Sequence, residues 1–161
     1  MASEITAAQY GAQGKVRRDP MAMLPFCGYN MADYFKHWLE TGKKIENQPK
    51  IFNVNWFRTG SDGNFLWPGY GDNLRVLEWI IERCRGSAGA DKTPIGFIPK
   101  TEDLDQEGME ISRESMKELL RVDNSEWIKE AEEVKQFYSQ FGSRLPEELK
   151  AELGSLIKRL K

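Results

Sequence analysis

The 161-residue sequence predicts a mixed, helix-rich α/β fold. Five stretches carry apolar residues at helical spacing, and only two short ones read as strand. Everything beyond about residue 112 is helical in pattern.

Residues 1–15 hold Ser3, Thr6, Ala7, Ala8, Gly11 and Gly14, and only Ile5 and Tyr10 are bulky enough to anchor a core. They read as a loop, either a frayed terminus or a mobile lid. Asn30 is placed to cap a helix over residues 30–41, with Asp33 in its first turn and Tyr34, Phe35, Trp38 and Leu39 on one face. Residues 51–57, IFNVNWF, alternate: Phe52, Val54 and Trp56 fall on one side and Asn53 and Asn55 on the other, the pattern of a strand. After two glycine-rich breaks, Asp72 or Asn73 starts a helix with Leu74, Leu77, Ile81 and Cys84 in register. Residues 86–90, GSAGA, read as a flexible connector, and TPIGFI at 93–98 as a second strand. Ser112 opens a helix containing Met116, Leu119 and Leu120. Trp127, Ile128, Ala131, Val134, Tyr138 and Phe141 mark the next, and Pro146 begins a last one bearing Leu149, Leu153, Leu156 and Leu160. Two short strands cannot make a stable sheet by themselves, so both are expected to pair with polypeptide outside this chain.

Composition excludes several classes of function. With 40% hydrophobic, 11% aromatic and 30% charged residues the chain is ordinary globular protein, and a net charge of −2 gives no basic excess to hold nucleic acid. No apolar run approaches the roughly 18 residues that span a bilayer, and the polar N-terminus is unlike a secretory signal, so a cytoplasmic location and no membrane partner are expected. Cys27, Cys84 and the single histidine, His37, have no metal-ligand spacing; Cys27 reads as a small buried hydrophobe and His37 as a surface residue.

The chemically informative stretch is 55–73, NWFRTGSDGNFLWPGYGDN. Trp56, Phe57, Phe65, Trp67 and Tyr70 fall among Gly60, Gly63, Pro68, Gly69 and Gly71, where regular structure is broken and ordinary burial is harder. A purine needs ring faces to stack on, worth about 1–3 kcal/mol per base, and an edge that pairs with its donors and acceptors. Phe57, Phe65 and Tyr70 offer faces, and Asn73 offers an amide with both a donor and an acceptor. Taken alone, the pattern leaves a base site, a loop hydrophobic cluster and a protein interface open.

Three runs, DPMAMLPFCGYN (19–30), NWFRTGSDGNFLWPGYGDNLRVLEW (55–79) and TPIGFIPK (93–100), resemble the GTP-dependent phosphoenolpyruvate carboxykinases in order and spacing. The likeness is close over residues 3–105, and beyond that the helical layout is similar, most clearly around Trp127. It implies the C-terminal part of a single nucleotide-binding catalytic domain, with a lid-like loop at 1–15, a guanine-binding segment at 16–105 and a helical tail at 106–161. It assigns the guanine base of GTP or GDP to Trp56, Phe57, Phe65, Tyr70 and Asn73, although the family more often has phenylalanine at position 70. It assigns a mobile lid to Ser3, Glu4, Thr6, Ala7 and Ala8, and this sequence departs from many relatives just after, at Gln9-Tyr10-Gly11. Phe26 resembles part of the wall near substrate, with helix entry and core packing as its other reading.

The implied reaction converts oxaloacetate and GTP to phosphoenolpyruvate, carbon dioxide and GDP in gluconeogenesis, by decarboxylation to an enolate and then phosphoryl transfer, with Mn2+ and Mg2+. Gly14-Lys15 is followed by Val16 and Gly42-Lys43 by Lys44, so neither lies in a GxxxxGK[ST] phosphate loop. No catalytic residue and no metal ligand is assigned to this chain. Phosphate and metal sites are expected in an N-terminal remainder, and the chain alone is expected to be an inactive monomer. The alternative is a non-catalytic guanine-nucleotide-binding module.

Overall fold

A computed structural model describes residues 2–4, 16–18 and 23–161, the first two segments by their backbone. It is helix-rich, with two small antiparallel strand pairs, and its contacts group into two compact units, residues 1–48 with 125–161 and residues 49–124.

In the first unit β1 (Ala2–Glu4) pairs antiparallel with β2 (Val16–Arg18), Ala2 lying opposite Arg18. This corrects the reading of residues 1–15 as loop throughout. Ala-Ser-Glu has no strand signature of its own, and its ladder comes from the second segment. Thr6, Ala7 and Ala8 of the lid assignment lie outside the described residues, while Ser3 and Glu4 fall in β1.

Helix α1 (Met31–Lys44) is capped by Asn30, whose Oδ1 accepts the Ala32 N–H at 2.9 Å. It runs on past Thr41-Gly42, where the sequence placed its end, to a last turn carrying Lys43 and Lys44 that suits the negative end of the helix dipole. Lys43 also pairs with Glu148 at 2.9 Å; the bond holds the Glu148 carboxyl below its usual range and raises the Lys43 ammonium. Helix α2 (Asn124–Ser139), which has its first residue in the other unit, and α3 (Glu147–Leu160) complete this one, with Pro146 one position before the helix rather than its first residue. Met31, Ala32, Phe35, Phe141 and Leu145 form the buried core, with Cys27 half-buried against it. Of the stripe read around Trp127, Ala131 and Phe141 are buried and Trp127 is exposed. His37 is exposed and stacks on Tyr34 at 6.4 Å.

The second unit departs more from the sequence reading. Residues 51–55 are not strand: no described strand offers them a ladder, Ile51 is 92% exposed, and only Phe52 packs inward, edge-on to Trp79 at 5.9 Å. TPIGFI is not one strand: Thr93 ends β3 (Asp91–Thr93), Pro94-Ile95 makes the turn of a hairpin, and Gly96–Ile98 is β4, with the Thr93 hydroxyl donating to the Gly96 carbonyl at 2.8 Å. Strand β4 finds its partner within the chain, contrary to expectation. Helix α4 (Asn73–Arg85) starts where the sequence placed it, but the stripe read as its register, Leu74, Leu77, Ile81 and Cys84, lies exposed. Trp79 supplies the buried contact, in a core with Ala88, Leu104 and Met116. Ala88 is thus a core residue rather than part of a loose connector.

Helix α5 (Arg113–Leu120) is capped by Ser112, whose Oγ accepts the Ser115 N–H at 2.9 Å. Ser112→Ala is expected to lower stability by about 1 kcal/mol, the usual worth of such a cap; urea titration checks it, and an unchanged midpoint would count against the cap.

Candidate functional site: an aromatic cleft

Within the second unit, Trp56, Phe57, Phe65, Trp67, Tyr70 and Asn73 line a cleft of about 590 Å³ whose opposite wall comes from Glu110, Ile111, Ser112 and Ser115. Local turns set the first wall. The Phe57 N–H donates to Asn55 Oδ1 at 3.0 Å, and a tight loop returns the chain so that Thr59 bridges Phe65 and the Leu66 N–H donates to the Arg58 carbonyl at 2.9 Å. Gly63 at φ 79° supplies the left-handed residue that this loop needs. Asp62 accepts from the Asn64 side chain at 2.9 Å and from its backbone N–H at 3.0 Å, and these bonds hold its carboxyl below the usual carboxylate range. Gly69, at φ 154° and ψ −174°, occupies a region essentially closed to other residues and leads into the single turn Tyr70–Asp72 that presents Tyr70.

Two arginines tie the walls together. Arg58 donates to the Leu119 and Arg121 carbonyls at 3.1 and 2.8 Å, at the C-terminal end of α5, where a cation is favoured. Arg75 bonds Asp72 at 2.8 Å, the Asp105 side chain at 2.9 Å and the Glu107 carbonyl at 2.8 Å, fastening the start of α4 to the segment that leads into the second wall. The arginine side chains are 24% and 20% exposed, so these bonds are partly shielded from water.

Phe57 and Phe65 meet edge to face, 5.9 Å apart at 64°, which leaves no slot for a flat ring between them. They remain 71% and 63% exposed, and Tyr70 is 92% exposed, so ring faces are open to a ligand. Trp56 and Trp67 pack at 5.5 Å, with Trp67 only 6% exposed. The Trp67 Nε1–H donates to Asn73 Oδ1 at 2.9 Å.

The five positions singled out for a base thus share one cleft. Sequence reasoning passed over Glu110, Ile111 and Ser115, which sit some forty residues away and carry no local signal, and Ser112 was read only as a cap. Phe26 lies in the other unit, 80% exposed, which sets aside core packing for it. Among the described residues no three His, Cys, Asp or Glu side chains gather as a metal ion's ligands would. No helix of the described residues is long and apolar enough to cross a membrane.

Residues 1–159 match the family described as "Phosphoenolpyruvate carboxykinase C-terminal P-loop domain". Curated relatives include proteins named "Phosphoenolpyruvate carboxykinase [GTP]" from Renibacterium salmoninarum, 55% identical over 162 residues, from Thermoplasma volcanium, 51% over 160, and from Neocallimastix frontalis, 52% over 164. Each alignment takes in at least 99% of this chain and 27% of the relative, so the chain spans about a quarter of the length of these proteins. With a match over nearly its whole length, the chain belongs to the family of GTP-dependent phosphoenolpyruvate carboxykinases.

Proposed function

We propose that the aromatic cleft receives the guanine base of GTP, and that the chain is the base-recognition part of an enzyme converting oxaloacetate and GTP to phosphoenolpyruvate, carbon dioxide and GDP. One observation carries this reading: exposed rings of Phe57, Phe65 and Tyr70 border the same cleft as the Asn73 amide, so stacking and edge pairing are available together. The relatives' names include GTP and supply the nucleotide class. The base stacks on the open face of one ring of the Phe57 and Phe65 pair, since the two meet edge to face at 64° and leave no slot between them.

This division of labour fits a chain spanning about a quarter of its relatives' length. The phosphate loop in the family's description has no counterpart motif here, so the phosphates, Mn2+, Mg2+ and oxaloacetate fall to the rest of the enzyme. The exposed stripe Leu74, Leu77 and Ile81 is apolar surface suited to packing against that remainder. The resemblance adds a lid role for Ser3, Glu4, Thr6, Ala7 and Ala8 and a substrate-adjacent role for Phe26. A non-catalytic guanine-nucleotide module is favoured by one feature: every residue lining the cleft lies in a single unit.

Trp56 and Trp67 stand at the cleft, so a stacked base is expected to quench tryptophan emission. Titration of the chain with GMP and AMP is expected to quench at lower concentrations of GMP. Equal response to both, or none, would overturn the assignment of guanine to this cleft.

A further inference from the structure

We infer that Trp67 is a positioning residue for base selection: its indole N–H locks the Asn73 amide so that the cleft presents a hydrogen-bond donor to the 6-position of a purine. The inference deepens the proposed function and rests on the reading that the cleft takes a purine.

An asparagine amide is ambiguous, because turning it over exchanges a donor for an acceptor. An indole N–H can only donate. At 2.9 Å from Trp67 Nε1, the Asn73 atom must therefore be the oxygen, and the chemistry fixes the amide orientation. Trp67 is itself held: it is 6% exposed and packs on Trp56 at 5.5 Å, so its N–H cannot turn to water without disturbing the wall. If Asn73 flipped, two donors would face each other in a half-buried site, leaving the indole N–H unpaired at the cost of a buried unsatisfied group.

With Oδ1 engaged, the other end of the amide is Nδ2, which has no partner among the described residues and belongs to a side chain lining the cleft. A donor there matches the 6-oxo group of guanine or hypoxanthine. It opposes the 6-amino group of adenine or 2,6-diaminopurine, which is a donor too. The sequence alone left Asn73 able to play either part; Trp67, six residues earlier, settles which one.

The discriminating pair of ligands is GMP and the 5′-monophosphate of 2,6-diaminopurine riboside, which share the 2-amino group and differ at the 6-position and in the proton at N1. Competition saturation-transfer NMR on the full chain gives their affinity ratio, for the wild type and for Trp67→Phe, which keeps an aromatic ring but has no N–H. Because the smaller ring also leaves a void, the same ratio is measured with Trp67→β-(3-benzothienyl)alanine, in which sulfur replaces the N–H in a ring of nearly the same shape. The wild type is expected to prefer GMP, and both variants are expected to reduce that preference about tenfold, mainly by weakening GMP. A preference that survives in the isostere, or a uniform loss of both ligands with the ratio unchanged, would overturn the role of Trp67 while leaving the purine site standing. Absence of binding by the wild type would overturn the purine reading itself, and the inference with it.

Discussion

Asn73→Ala is expected to weaken GMP binding by about 10- to 100-fold while changing AMP binding by no more than about threefold, which collapses the guanine preference. The substitution removes the donor facing the base and also the acceptor of the buried Trp67 N–H, at 2.9 Å. The bond to the base is worth about 0.5–1.5 kcal/mol and leaving the 6-oxygen of a bound guanine unpaired costs about 1–3 kcal/mol, while the unpaired Trp67 N–H lowers stability in the free and bound states alike. AMP makes no favourable bond to that donor through its 6-amino group, so it has little to lose, and stacking on Phe57, Phe65 and Tyr70 is common to both bases. Tryptophan quenching with the two nucleotides reads both affinities. Parallel weakening of GMP and AMP would mean that Asn73 shapes the cleft without choosing its occupant.

Much of this site was legible before any coordinates, for reasons visible in particular residues. Aromatic rings among Gly60, Gly63, Pro68, Gly69 and Gly71 are hard to bury as ordinary core, and Phe57, Phe65 and Tyr70 are exposed, but Trp67 in the same stretch is buried. Helix starts at Asn30 and Ser112 were legible because a cap is a local interaction, complete within three residues. What was missed depends on distant partners. Period-2 alternation in residues 51–57 is satisfied by a strand only if a second strand lies alongside, and none is described there. The helical stripe Leu74, Leu77 and Ile81 predicted a helix correctly and a buried face incorrectly, because periodicity reports an apolar face and not what covers it. The second cleft wall, Glu110 to Ser115, is brought in by Arg58 and Arg75, whose bonds reach 63 and 32 residues along the chain. No local pattern encodes such reach.

Phe35→Ala is expected to lower the unfolding free energy by about 3–5 kcal/mol, the range for removing a buried phenylalanine and leaving a void. Phe35 is 5% exposed on α1 and meets Phe141 edge to face, 5.6 Å apart at 86°. Phe141 follows α2, and Leu145, in the same buried cluster, precedes α3, so the cluster ties α1 to the connection between α2 and α3, which lies far along the chain. The geometry of the aromatic pair adds about 0.5–1.5 kcal/mol beyond the area buried, and this too is lost. Relaxation would recover part of the cost if Met23, Leu24 and Leu149, half-buried around the cluster, moved into the void. Even so, a core whose fully buried large side chain is Met31 has little else to fill a space the size of a benzene ring. Guanidinium unfolding followed by far-ultraviolet circular dichroism measures the change. A loss below about 1 kcal/mol would mean that the α1 contact with Phe141 contributes little to holding this unit together.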